Sequence, residues 1–356
     1  MKPCPFKSKT GVTNVKTFVA RKNGVRVVCQ DWNFIQIISL SVICSAFLTF
    51  PYLLYRHPKE KISSRDLIIE LPDIVRLVKP DLREKEYPFN LCSEKYNKET
   101  KSNVLSYSLF GKLSTDKTWL NMVGSVADEA KKSSLYREWQ VRIHHDGGIP
   151  YNQLKRLEEK HGNLRFCDAR KIPRLGDVSK QRGKEWRYIP IGDKTVDIVC
   201  IRNLQNVLLQ RESDAVEEWM FRSYNKAFHC MYDRVNVTQR FEDSGTICYR
   251  NSNSPTLTPI IFQIIQKHQV NKKLDPTRDP EEILLQDLLW PYLELDAIIH
   301  DSYTCKKHIW TFTPFPTKRY STNGCDFIGC SRLNPSKAQE CPLICRPRSH
   351  RDWKNC

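Results

Sequence analysis

The sequence predicts an α/β fold, a mixed sheet flanked by helices, behind one N-terminal transmembrane helix. Three observations carry that expectation. Strand-like apolar runs alternate with runs of helical period between Val104 and His300, one uncharged apolar stretch precedes them at 34–55, and cysteines crowd the last part of the chain. Strands alternating with helices argue for a layered sheet with helices on its faces. A region of roughly 200 to 250 residues is large enough to bury a true core.

Residues 1–33 read as a basic cytosolic tail. Lys2, Lys7, Lys9, Lys16, Arg21, Lys22 and Arg26 outweigh the acid Asp31, and the positive-inside rule keeps such a flank in the cytosol. Residues 34–55 read as an uncleaved signal anchor. Only Gln36 and a few hydroxyl residues interrupt the stretch, which at about 1.5 Å per residue crosses a hydrocarbon core of roughly 30 Å once. The following Pro51-Tyr-Leu-Leu-Tyr-Arg56 does not look like a cleavage site. The expected layout is a single-pass type II protein of the secretory pathway, in the Golgi membrane, with its C-terminal domain in the lumen. Residues 56–102, rich in Lys, Glu, Pro and Ser, read as a stem.

Residues 103–310 read as the luminal domain. A strand is expected at 104–110, ended by Gly111, then a helix at 119–135 carried by Met122, Val126 and Ala130. A second strand at 138–144, a helix at 151–161, a short strand at 164–167 and an apolar strand at 196–201 follow. Beyond them the pattern expects a helix at 212–224, a strand at 226–231, helices at 259–268 and 281–289, and a closing strand at 296–300.

Residues 311–356 read as a cysteine-rich segment. Of the 14 cysteines, Cys4, Cys29 and Cys44 fall in the tail and span, and Cys325, Cys330, Cys341, Cys345 and Cys356 crowd this segment. With several prolines and little apolar periodicity it has too little core to fold alone, so disulfides in an oxidising lumen are expected to restrain it. The alternative is a zinc site on Cys341, Cys345 and His350, which lacks the C-x2-C spacing. The odd number of cysteines beyond the span leaves one free or pairing between chains, which permits an oligomer. Asn236-Val-Thr238 is a glycosylation sequon.

A net charge of +17 suits an anionic luminal ligand, such as a nucleotide-diphosphate sugar or an acidic glycan, or simply a solvated basic surface. The luminal layout and the lack of a nucleic-acid recognition motif exclude nucleic acid as a partner. In an open α/β sheet, ligands bind beyond the carboxyl ends of the strands. Polar clusters stand at three such ends: Phe110-Gly111, His144-His145-Asp146 and Arg202-Asn203-Leu204-Gln205-Asn206.

Five blocks, Ser106-Tyr-Ser-Leu-Phe-Gly111, Trp139-Gln-Val-Arg-Ile-His-His-Asp146, Glu185-Trp-Arg-Tyr-Ile-Pro-Ile-Gly-Asp193, Lys226-Ala-Phe-His-Cys-Met-Tyr-Asp233 and His300-Asp-Ser-Tyr-Thr-Cys305, follow one another in order. With the closing Cys341 to Cys356 they resemble the blocks of GT-A-type glycosyltransferase-like proteins. That resemblance implies a GT-A-like nucleotide-sugar-binding fold, a nucleotide sugar as donor, and a glycan or glycoprotein as acceptor. It also implies an Asp-x-Asp turn whose two carboxylates hold Mn²⁺ or Mg²⁺ against a departing diphosphate.

Here that turn reads Asn203-Leu204-Gln205, so both acids are amides and the affinity for a dication is expected to fall. Two further departures stand at Asp243 to Tyr249 and at Glu281-Glu282. The resemblance implies that Phe110, Gly111, Arg187, Arg202, Asn203 and Gln205 meet the nucleotide sugar, and that His300 and Asp301 are what remains for a metal. Arginine suits a diphosphate through paired hydrogen bonds, so Arg187 and Arg202 are expected to supply the missing charge. The basic run Arg170, Lys171, Arg174, Lys180, Arg182 and Lys184 is either part of that site or a solvated loop. Asp146, Asp233 and Asp301 stand at strand ends, and none is named as the base. The expected function is a luminal glycosyltransferase-like protein. The alternatives are an inactive glycan-binding or enzyme-partner module on the same fold, or an interaction ectodomain.

Overall fold

The computed structural model describes residues 18–22 and 25–29 by their backbone, and residues 90–96, 101–112, 116–222, 226–234, 245–271, 273–274, 277–305, 312–320 and 324–356 in full. The expected anchor at 34–55, most of the stem, and the sequon at Asn236 lie outside the described residues. Among the described residues no helix is long and apolar enough to cross a membrane.

The chain divides into two units, Met1–Ile69 and Glu70–Cys356. The first contains an antiparallel hairpin of β1 (Phe18–Lys22) and β2 (Val25–Cys29), with Phe18 opposite Cys29.

The second unit is built on a mixed sheet of eight strands among the described residues. In chain order these are β3 (Ser102–Leu109), β4 (Gln140–His145), β5 (Leu164–Asp168), β6 (Val196–Arg202), β7 (Phe228–Tyr232), β8 (Thr246–Arg250), β9 (Ala297–Asp301) and β10 (Phe312–Thr313). Their spatial order is β10-β9-β7-β8-β6-β3-β4-β5. β3 pairs parallel with both β4 and β6, whereas β8 runs antiparallel between β6 and β7. The sequence reading named no strand where β8 lies, since its five residues have no long apolar run; pairing on both edges makes it a strand.

Side chains alternate across this sheet with the period of two that strands impose. Leu105, Tyr107 and Leu109 of β3, with Ile198 and Cys200 of β6, pack against α1 (Lys117–Lys132) and α3 (Gln210–Arg222). Val104, Val199 and Ile201 face the other way. They meet α4 (Thr258–Val270) and the helical run α5, formed by Pro280–Glu282, the π-helical Ile283–Leu289 and Trp290–Leu293. Helix α1 starts where the Asp116 carboxylate accepts the Thr118 amide at 2.7 Å, and it buries Met122, Val126 and Ala130 one turn apart. Helix α2 (Tyr151–Lys160) covers the β5 edge.

Ten cysteines form five disulfides among the described residues: Cys92–Cys167, Cys200–Cys248, Cys305–Cys345, Cys325–Cys330 and Cys341–Cys356. All five cysteines of the closing segment are bonded. Cys341 and Cys345 are thereby removed from any zinc site, and His350 stacks on Trp353 instead. Cys230 is buried in β7.

Two boundaries differ from the sequence reading. Asn90 and Leu91, expected in the stem, are buried; Asn90 donates to the Thr195 hydroxyl and the Leu91 amide to Asp193. The closing segment is no appendage either, for Phe315 and Ile328 enter the core beneath α1 and α3. Asp233 ties it down, accepting from Arg211, Arg319, the Ser302 hydroxyl and the Ile328 amide.

Candidate functional site

The order β5-β4-β3-β6 reverses direction at β3, whose two parallel neighbours lead away on opposite sides. Such a reversal opens a crevice outside the carboxyl ends of the strands, here those of β3 and β6. Phe110-Gly111 ends β3 and Asn203 follows β6, so the fold brings these two clusters to one crevice.

On the β3 side, the Phe110 ring meets Trp186 edge to face at 5.7 Å, and a side chain at Gly183 would collide with it. Gly111 has φ +65, a left-handed conformation suited to glycine, and its amide donates to the Asp146 carboxylate at 2.6 Å. On the β6 side, the Asn203 carbonyl accepts the Asn206 amide at 3.0 Å and closes the turn. A Cβ at Gly245 would run into the Asn203 amide group.

Arg187 spans the gap. It comes from the 3-10 run Gly183–Gly192, is buried, and donates to the Arg202 carbonyl at 3.1 Å and to the Asn203 side-chain oxygen. Its Nε and Nη2 donate to Glu281 Oε1 at 3.0 and 2.5 Å. Glu281 is held in turn at the start of α5, where the Asp279 carboxylate accepts its amide at 2.8 Å. Arg187, Asn203 and Glu281 thus form one network across the crevice. Gln205 is half-buried, and its carbonyl accepts the Arg332 amide at 2.8 Å.

Arg202 departs from the sequence reading. It continues the face of Ile198 and Cys200 into the core, where it is 2% exposed. Its Nε donates to Glu212 at 2.6 Å and its Nη1 to the Ile201 and Ile247 carbonyls at 2.8 and 2.9 Å. Buried and turned to core acceptors, this guanidinium is not presented to a diphosphate in the crevice.

His300 and Asp301 also lie elsewhere. They end β9, which β7 and β8 separate from β6. His300 Nδ1 shares a hydrogen bond with His229 Nε2 at 2.7 Å, and its Nε2 lies 3.3 Å from Glu218. Trp219 stacks on His229. Burial lowers the pKa of both imidazoles, with Glu218 opposing it at His300. Asp301 accepts the Tyr303 and Thr304 amides, both at 2.7 Å, and so caps a turn.

These residues do not fit a dication. The Asn203 side-chain oxygen already accepts from the Arg187 guanidinium, and a second cation there would be repelled. Among the described residues no cluster of three or more His, Cys, Asp or Glu is arranged to hold a metal. The three strand-end acids serve structure: Asp146 holds the Gly111 and Gly148 amides, Asp233 two arginines, and Asp301 its turn.

Sequence reasoning missed the roles of Glu281, Gly245 and Glu212. Glu281 was visible only as a departure from the family pattern. Arg202 carried a usable signal, since period-two alternation places it on the Ile198 and Cys200 face.

No protein-family model and no curated protein matches the chain. Among solved structures it is similar to the glycosyltransferase GlyE of Streptococcus pneumoniae TIGR4, at 10% identity and a TM-score of 0.38, over 56% of this chain and 45% of that one. A glycosyltransferase involved in the glycosylation of the major capsid of PBCV-1 is similar at 7% identity and 0.33, over 58% and 88%. The galactosyltransferase LgtC, solved with donor and acceptor sugar analogs, is similar at 10% identity and 0.35, over 58% and 77%. Likeness this slight carries no functional argument.

Proposed function

We propose that the protein binds a nucleotide sugar in the crevice between the β3 and β6 ends and is a glycosyltransferase-like protein of the secretory pathway. It acts on a luminal glycan or glycoprotein from behind a single membrane anchor at residues 34–55. The observation that carries this reading is the strand reversal at β3, with Phe110-Gly111 on one side of the crevice and the Arg187–Asn203 pair on the other. Phe110 offers a ring face to a base or sugar. Arg187 supplies positive charge to a diphosphate in place of a metal, exchanging its bond to the Asn203 side chain for one to the ligand while it keeps Glu281. Titrating the protein with UDP, GDP and CDP, each with Mn²⁺ and with EDTA, tests it. Binding that is indifferent to Mn²⁺ is expected, and the lack of binding by any of the three rejects the reading.

A second reading, a non-catalytic module that binds a sugar nucleotide or glycan without turnover, is favoured by one observation. Arg187 is held by Glu281 and Asn203, and Asp146, Asp233 and Asp301 all serve structure. Donor hydrolysis distinguishes the two, because a transferase slowly releases sugar from its donor whereas the module does not.

A further inference from the structure

A cavity of about 830 Å³ lies beside α2, at the carboxyl ends of β4 and β5. Neither Phe110 nor Asn203 lines it, so it is separate from the crevice at the strand reversal. Its walls are apolar where Ile149, Leu154 and Phe166 line it, and Tyr151, 77% exposed, stands at its mouth.

His145 is the informative group. It is 3% exposed, lines the cavity, and packs edge to face on Phe166 at 5.9 Å. The Gly147 amide donates to its Nδ1 at 3.1 Å, so the neutral ring carries its proton on Nε2. Burial lowers its pKa, which keeps the ring neutral near pH 7. Among the described residues no hydrogen bond reaches Nε2, so the buried ring keeps one donor open to whatever enters the cavity.

The other polar groups sort by sign. Glu158 already accepts from Lys95, the Tyr96 hydroxyl and the Phe166 amide, and Asp168 from Arg170, whereas Glu94 lines the cavity as an exposed acid. Lys155 and Lys171 line the cavity with only loose acidic neighbours, each at 3.8 Å. Helix α2 begins here at Pro150 without a side-chain cap and without an acid in its first turn, so its amino-terminal amides also favour negative charge. With two of its three carboxylates engaged and Lys155, Lys171 and His145 Nε2 left as donors, the wall calls for an anionic ligand with several acceptor oxygens. An apolar wall beside an exposed tyrosine calls for a body with hydrocarbon faces.

We propose that this cavity is a second binding site, for an anionic sugar. The sugar's carboxylate or sulfate would meet His145 Nε2, Lys155 and the α2 amides, with its ring against Tyr151 and Leu154. The full chain is titrated calorimetrically with sialyllactose, sulfated lactose and lactose, then repeated with Lys155→Glu, Tyr151→Ala and His145→Phe. At least one charged sugar is expected to bind about tenfold or more tighter than lactose, and Lys155→Glu to remove about that factor. Which charged sugar binds tells carboxylate from sulfate. Failure of both to bind, lactose binding as tightly, or affinity unchanged in both Lys155→Glu and Tyr151→Ala overturns the proposal. Because Lys155 and Tyr151 are exposed, these variants decide the matter even if His145→Phe does not fold. UDP titrated in parallel reports on the other crevice, so either site can fail without the other.

Discussion

Asn203 shows how one residue's chemistry changes with its neighbour. Its amide oxygen accepts from the Arg187 guanidinium, which leaves it less available to a dication. The double variant Asn203→Asp with Gln205→Asp adds two carboxylates there. UDP binding followed by calorimetry is expected to be indifferent to Mn²⁺ in the native chain and to gain a Mn²⁺ dependence in the variant, weakened by competition from Arg187. Strong Mn²⁺ dependence in the native chain would mean that other acids hold a metal. Asp233 is the clearest case for stability. Burial alone would raise its pKa, but Arg211 and Arg319 outweigh burial and hold the carboxyl below its usual value. The stabilisation is therefore present above the usual carboxylate pKa and lost as pH falls through the lowered one. Asp233→Ala is expected to cost about 3 to 5 kcal/mol in urea unfolding, because it leaves two arginines buried beside no carboxylate. Burial pushes His144 from 6.5 down to about 3. A neutral buried histidine stabilises above pH 6.5, and that contribution drains away as pH falls toward about 3. A flatter unfolding profile over that window in His144→Gln is the expected outcome, since glutamine keeps a donor for the Tyr107 carbonyl that His144 Nδ1 meets at 3.2 Å.

At the scale of elements, the closing segment and the β6 turn are one construction. The Val207 amide donates to the Cys330 carbonyl at 3.1 Å, and Arg332 pairs with Glu129 of α1 at 2.5 Å. Val207 and Leu209 share a small core with Cys325, Phe327 and Cys330. The cross-links act on elements that hydrogen bonds already hold. Replacing Cys341 and Cys356 by serine is expected to lower stability by about 2 to 5 kcal/mol. Non-reducing peptide mapping of the native chain checks the bond itself; free thiols at both positions would refute it. The start of β8 makes the other elemental contact, where Gly245 lies against Asn203. Gly245→Ala should displace that side chain and weaken nucleotide binding several-fold while leaving the sheet folded.

For the whole molecule, the basic tail and the apolar stretch at 34–55 set the expected orientation, with the disulfide-rich unit across the membrane from the amino terminus. Expressed protein is expected to carry endoglycosidase-sensitive mass that Asn236→Gln removes, and a carboxyl terminus protected from protease in intact microsomes. A protease-accessible carboxyl terminus would reverse the orientation.

The sequence by itself determined the alternation of strands and helices, the positions of most strand ends and the cross-linked character of the closing segment. These are local signals: an apolar period, a breaking glycine, a density of cysteines. Only the tertiary structure decided that Arg187 pairs with Glu281, 94 residues away, and that Arg202 belongs to the core with Glu212. It also decided that His300 meets His229 rather than Asn203, and that His145 borders a cavity. The physical reason is common to all four. A side chain's charge and donors are written in the sequence, but the strand order decides which partners come within a few ångströms of it.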